Sequence, residues 1–356
     1  MSALSSSSAA RSAPNGYALL QAGGLHVLVY RRSVWAALLL GAALLILSAV
    51  SLSTGSAGMS PVEAVMAAFG VGPDMQVFLI QHLRLPRWAA GVLSGFAFGV
   101  GGCLLQTLAR NRLATPSIIG IDDGASAFAV ASIVAVPTSL APSALALWGA
   151  ATAAVLVFAL SAGAGARGYR FIVVGIAVGV LFGAITNLML ARTGIDSANQ
   201  AYPWTVGSLN ARPALSVWLL ASGVALCLPA AKYVARALNQ LRLSDAVAIG
   251  LGANLARTRA VVLILTVVLT GLAVAVAGPV GLIALAAPEA ARHLAGNRGV
   301  PVMLSGLAGA LMMITADWVG RTLFAPIEIP VGVITAVVGG PYLLWILLRK
   351  PGRGMA

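Results

Sequence analysis

Three histidines, two lysines and nine acidic residues are spread over 356 positions, and their spacing excludes most chemistry. His26, His82 and His293 stand far apart. With no HExxH, no CxxC and no carboxylate pair at catalytic spacing, neither a metal centre nor an intramembrane hydrolase has a residue set to work with. Lys232 and Lys350 do not follow a glycine, so the Gly-Lys grip of a Walker A loop cannot form and the chain has no ATPase site of that kind. The acids fall mostly at the ends of apolar runs or in loops, which argues against a proton- or sodium-driven carrier with a midplane carboxylate. What remains is arginine. Arg84 and Arg87 open an apolar run at i, i+3 and share one helical face. Cations there oppose the helix macrodipole, so something must compensate. Arg321, at the same end of a later run, completes a basic patch suited to carboxylates; anchoring of helix ends at lipid headgroups is the alternative.

The elements that position these groups are membrane spans. The chain is 60% hydrophobic and 9% charged, far from soluble composition, and Cys103 and Cys227 fall inside apolar runs, as small core residues do. Apolar runs predict about ten spans, at 34–52, 86–108, 121–137, 139–162, 171–191, 214–235, 258–277, 280–296, 301–322 and 331–348. The 278–342 stretch is broken repeatedly by Gly and Pro, the mark of helices that stop and restart inside a membrane under cover of protein or water. With the N-terminus in the cytoplasm, 17 of the 22 basic residues fall in cytoplasmic loops and only Arg84, Arg87, Arg192, Arg212 and Arg321 outside, as the positive-inside rule requires. The net charge of +13 is therefore explained by topology. No basic cluster with interleaved aromatics suggests nucleic acid. Residues 1–33 read as a disordered cytoplasmic tail, and 351–356 as a short one. Ser60-Pro61-Val62-Glu63 spells a capping box that opens a short helix outside the membrane.

Two glycine stripes at intervals of four, Gly91/Gly95/Gly99 and Gly175/Gly179/Gly183, let helices approach closely. The second is followed by Thr186 and Asn187, which suits a helix beside a water-filled path. Asp122 and Asp123 begin the third span, where negative charge caps a helix. In the polar interval after 235, Ser244 reads as an N-cap with Asp245 in the first turn of a cytoplasmic helix at about 243–256, carrying Gly250 and Gly252. Such a helix lies in the interface or docks a cytosolic partner.

RLPRWAAGVLSGFAFGVGGCLLQ, RNRLATPSIIGIDDGA, WTVGSLNA, LRLSDAVAIGLGAN, GPVGLIALAAPEAARHLAG and ADWVGRTLFAPIEIPVGVITAVVGGPY occur in this order. Together they resemble the FecCD family of permeases, over roughly 34–350, and look closest to ferric-enterobactin-type subunits. The resemblance implies an all-α membrane protein of about ten helices in the bacterial cytoplasmic membrane, with both termini cytoplasmic. It implies the permease subunit of an ATP-binding-cassette importer for iron-siderophores, with cobalamin or haem as alternative cargo and an ion-driven carrier further off. Such a subunit is no enzyme and binds no cofactor. It pairs with a second permease, identical or related, with two cytosolic ATP-binding subunits below and a substrate-binding protein above. Carried over by motif, Arg84, Arg87 and Arg321 grip acidic residues of the binding protein. The helix with Ser244, Asp245, Gly250 and Gly252 couples to the ATPase, and Gly179, Gly183 and Asn187 lie along the pathway. Two positions depart from the pattern: Arg112 stands where the family has Pro, and Glu289 where it has His. The spacing allows Glu289 to pair with Arg292.

Overall fold

The computed structural model describes residues 14, 16–22, 25–55, 58–134, 142–161, 169–242, 245–296 and 299–348. Two strands, β1 (Tyr17–Ala22) and β2 (Leu25–Tyr30), precede fifteen helices. These are α1 (Arg31–Ser53), α2 (Pro61–Ala68), α3 (Asp74–Phe78), α4 (Leu85–Ala109), α5 (Ile121–Val134), α6 (Pro142–Leu160), α7 (Tyr169–Arg192) and α8 (Ile195–Ala201). There follow α9 (Pro203–Val206), α10 (Ala214–Leu241), α11 (Asp245–Gly250), α12 (Leu255–Ala277), α13 (Gly281–Ala295), α14 (Val302–Thr322) and α15 (Val331–Leu348).

Each of the ten expected spans corresponds to one of these helices, α1, α4 to α7, α10 and α12 to α15. Among the described residues, seven of the helical stretches are long and apolar enough to cross a membrane. The 15-residue α13 reaches only about 23 Å at ~1.5 Å per residue, short of a ~30 Å hydrocarbon core. It is entered through irregular backbone, and that backbone is covered by protein. Before α13, Gly278 takes φ +73° and packs on Gly207. Ser208 donates its N–H to Ala277 O at 2.8 Å, and Gly332 at the head of α15 donates to Gly207 O at 3.1 Å. The breaks in three segments thus satisfy one another.

The hub is α4. It is the most buried of the spans, whereas α1 and α10 are the most exposed, and α10, α12, α13 and α14 pack around it. An added Cβ on Gly95 would stand 2.4 Å from Gly309 O, on Gly99 2.1 Å from Ser305 O, and on Gly102 1.8 Å from Ala284 O. The α4 stripe is accordingly a packing surface against α14 and α13, gained by bringing backbones together. The group α5, α6 and α7 joins this core through α12.

The capping box is formed: Ser60 N–H donates to Glu63 Oε2 at 2.9 Å, and Glu63 N–H to Ser60 Oγ at 3.3 Å. The expected disordered tail over 1–33 is corrected at its end. Residues 17–22 and 25–30 are antiparallel strands pairing Tyr17 with Tyr30 and Ala22 with Leu25, and α1 starts at Arg31. YALLQA and LHVLVY flank Gly23-Gly24 in the sequence, a hairpin signal that the Ser-rich composition upstream obscured. Residues 1–13 and 351–356 lie outside the described part. Arg32 holds the hairpin end to the bundle by donating to His293 O at 2.9 Å and Leu294 O at 2.8 Å at the C-terminus of α13.

Candidate functional site

The three arginines expected at one end do converge. They line a cavity of about 450 Å³ together with His82, Asn210, Arg212, Asp317 and Glu328. Arg84 closes a π-helical turn, Leu79–Arg84, inserted between α3 and α4; such insertions shift a helix's register and recur at functional sites. From there its Nη1 donates to Leu52 O at 2.6 Å and Ser53 O at 3.1 Å, bonding the carbonyls at the C-terminus of α1, where a cation is favoured.

Compensation for the other two comes from a residue the sequence reading passed over. Asp317 is nearly enclosed, its side chain 5% exposed. Its Oδ1 accepts from Arg87 Nε at 3.0 Å and Nη2 at 2.9 Å, and its Oδ2 accepts from Arg321 Nε at 3.1 Å. Arg87 also donates from Nη1 to the exposed Glu328 at 2.8 Å. Arg321 adds a bond to Ser51 Oγ at 2.8 Å. Asp317 and Arg321 stand at i, i+4 in ADWVGR, a spacing that pairs on a helix and that could have flagged the carboxylate. Arg212 stacks over the Trp204 ring at 3.9 Å, and burial lowers its guanidinium to about 10, still charged at neutral pH. Four guanidinium groups thus face two carboxylates, so the cavity keeps a positive excess although Arg84, Arg87 and Arg321 are each held.

The opposite end carries α11. It is shorter than the expected 243–256 helix, covering Asp245–Gly250 only, and Ser244 lies outside the described residues. The cause is local: Gly252 takes φ +83°, its N–H donates to Ile249 O at 2.9 Å, and Ala253 N–H donates to Ala248 O at 2.9 Å. That is a Schellman stop. Asn254 then caps α12, accepting from Arg257 N–H at 3.0 Å. Asp245 ties α11 down through Arg110 at 2.9 Å and Arg259 at 2.7 Å. Gly250 and Gly252 have nothing near where a Cβ would be, and Val247, Ile249 and Leu251 are exposed. The result is a small apolar knob at the basic end of the bundle.

On α7, Gly175 and Gly179 serve packing. A Cβ on Gly175 would meet Ile118 O at 2.1 Å, and one on Gly179 would meet Asp123 Oδ2 at 2.8 Å. Gly183 has only Asp123 within reach, at 4.0 Å. Asn187 is exposed, whereas Thr186 is buried and bonds back to Phe182 O at 2.9 Å. The first-turn carboxylate Asp122 is buried and accepts from Ser117 Oγ at 2.6 Å, holding the turn into α5.

The two departures from the family pattern meet. Arg112 Nη1 donates to Glu289 Oε1 at 2.9 Å, across 177 residues of chain. Glu289 Oε2 also accepts from Arg292 Nε at 3.1 Å and Nη2 at 2.9 Å, the expected i, i+3 pair. Arg292 reaches on to Gln106 Oε1, and Gln106 Nε2 donates to Leu285 O at 3.1 Å. Glu289 is 7% exposed and Arg112 45%, so a buried carboxylate has recruited an arginine from the loop after α4. In a double-mutant cycle of Arg112→Gln and Glu289→Gln, thermal unfolding of the purified chain is expected to show a coupling of roughly 0.5–3 kcal/mol. Strictly additive losses would mean that the pair does not hold the loop.

Ten spans folded around a glycine-rich hub, with a basic cavity at one end and a short tethered helix at the other, define a polytopic membrane permease. Residues 37–349 match the FecCD transport family, and the chain belongs to it. It is 32% identical over 325 residues to the ferric enterobactin transport system permease protein FepG of Escherichia coli (strain K12), covering 91% of this chain and 98% of that one. It is 34% identical over 344 residues to the achromobactin transport system permease protein CbrC of Dickeya dadantii (strain 3937), covering 92% and 98%. Among solved structures, an inward-facing metal-chelate type ABC transporter aligns with a TM-score of 0.77 at 24% identity, over 89% of this chain and all of the other. That alignment shows a shared fold.

Proposed function

We propose that this chain is the permease subunit of an ATP-binding-cassette importer that carries a ferric siderophore across the bacterial cytoplasmic membrane. The observation that carries the reading is the nearly end-to-end match to siderophore permeases, which covers 98% of each relative's length and not one motif. The end with Arg31, Arg32, Arg110, Arg112, Arg242 and Arg292 faces the cytoplasm, in keeping with the positive-inside rule. The end with Arg84, Arg87 and Arg321 faces outward. Work comes from two cytosolic ATP-binding subunits seated against α11, whose exposed Val247, Ile249 and Leu251 offer an apolar grip and whose Asp245 passes movement to the loop after α4 and to α12. The binding protein delivers its cargo at the outer cavity, and a second permease, the same or related, completes the pathway. Gly183 and Asn187 on α7 are the pathway residues in this reading, with Gly179 setting how closely α7 approaches α5.

Deletion of the gene and complementation with the full chain tests it: uptake of a labelled ferric siderophore is expected only with the ATP-binding subunits present. Uptake by this chain alone under an ion gradient would overturn the mechanism, and restored uptake of haemin or cobalamin with none of ferric siderophores would overturn the cargo. For docking, Arg84→Glu, with its unfolding midpoint checked, is expected to weaken capture of loaded binding protein roughly tenfold through like-charge contact. Unchanged capture would remove the outer cavity from this role.

A further inference from the structure

The basic end holds a second polar cavity, of about 370 Å³, to which the import cycle above assigns no ligand. It opens among the C-terminal ends of α4 and α10, the side of α13 and the segment leading into α14. Arg110, Arg112, Arg242 and Arg292 line it, with Thr107 and Asn111 between them. None of its lining residues carries a carboxylate.

Two carboxylates touch these arginines from behind. Glu289 holds Arg112 and Arg292, and Asp245 holds Arg110 while also serving Arg259. The C-termini of α4 and α10 contribute about half a negative charge each. Four guanidinium groups set against these leave a surplus of roughly one positive charge, and of about two when Arg259 is counted with Asp245. The forks are also held in place before any ligand arrives. Arg292 is 11% exposed and fixed by Glu289 and Gln106. Arg110 sits at the left-handed C-cap of α4, φ +51°, with its guanidinium on Leu241 O and Asp245. Pre-set planar forks, a neutral amide donor at Asn111, and a charge excess of this size suit a tetrahedral oxyanion. Basic pockets between spans on the cytoplasmic side take anionic headgroups for the same reason.

We propose that this cavity binds a phosphate group, supplied either by an acidic phospholipid of the inner leaflet or by soluble phosphate. The placement of the cavity on the cytoplasmic side rests on the orientation given above; the charge count does not. A phosphate seated there bridges the ends of α4, α10 and α13 beside α11.

The test uses the full chain purified in detergent and stripped of lipid, with binding read by native mass spectrometry and by the shift in unfolding midpoint. Phosphatidylglycerol is expected to bind and stabilise, and phosphatidylcholine to do neither. Arg242→Gln is expected to weaken binding roughly fivefold, and Arg242→Lys to retain most of it. Arg31→Gln, an exposed charge at the same end outside the cavity, is expected to change nothing. Competition by inorganic phosphate against phosphatidylglycerol, or binding of inorganic phosphate alone, keeps the assignment and identifies the source. The proposal is overturned if neither probe binds, or if Arg31→Gln loses as much as Arg242→Gln. It is equally overturned if the assembled complex with its ATP-binding subunits excludes both probes. None of these outcomes bears on siderophore uptake, so this site and the transport function fail separately.

Discussion

Asp317→Ala is expected to destabilise the chain by on the order of 3–5 kcal/mol, the cost of breaking a buried ion pair from one side. The carboxylate is 5% exposed, and the arginines it holds, Arg87 and Arg321, are 17% and 14% exposed. Neither guanidinium can turn freely into water when its partner is removed. Glu328 still reaches Arg87 from the surface, but it is 47% exposed and screened, so it offsets little. Arg321 keeps only its bonds to Ser51. Asp317→Asn retains an oxygen acceptor in the same volume and is expected to lose less. Thermal unfolding in detergent, read beside the amount of chain recovered from membranes, measures both. An alanine variant as stable as the parent would mean that the two arginines find water or other acceptors, and that the carboxylate is not what organises the outer cavity.

Gly102→Val is expected to abolish assembly of the bundle. A Cβ at this position lies 1.8 Å from Ala284 O and 2.7 Å from Ala284 C, where ordinary contact needs 3.4–4 Å. Both clashing atoms belong to a backbone. No rotamer change relieves them, and α4 and α13 must part. That separation also pulls Gln106 from its acceptor on Leu285 and loosens the hub on which four spans pack. Overpacking of this sort exceeds the ~1–3 kcal/mol of a crowded core that can relax. The chain is expected to be degraded, with no uptake and no monodisperse material after purification. Gly41→Ala is the control, since nothing lies within 4 Å of its added Cβ and alanine is the better helix former; it is expected to behave as the parent or better. A folded, active Gly102→Val chain would show that the α4–α13 approach is not required.

Some site features were legible because one short stretch determines them. The capping box at Ser60 needs only Glu63 three residues on. The Glu289–Arg292 pair follows from helical spacing, and the break at Gly278-Pro279 from the backbone preferences of those two residues. The 243–256 helix was overextended for an equally local reason: continued apolar residues suggested one helix, but Gly252 ends α11 and Asn254 begins α12. On α7, a stripe of three glycines carried two meanings, and contact with the turn at Ile118 and with Asp123 assigns Gly175 and Gly179 to packing. Arg84 and Arg87 were readable as a pair, whereas the partners that hold Arg87 are 230 and 241 residues away.

Hydropathy, punctuation by Gly and Pro, and the distribution of arginine were sufficient to set the class, the number of helical spans and which charges share an end. Those properties depend on each segment's own transfer from water to lipid and on local backbone preference, so they survive without knowledge of neighbours. Which guanidinium from a distant segment joins each of these carboxylates was decided only by tertiary packing. Asp317 with Arg87, and Glu289 with Arg112, join segments remote in sequence, because a charge inside a low-dielectric bundle is stabilised by whichever opposite charge the fold brings within about 3 Å.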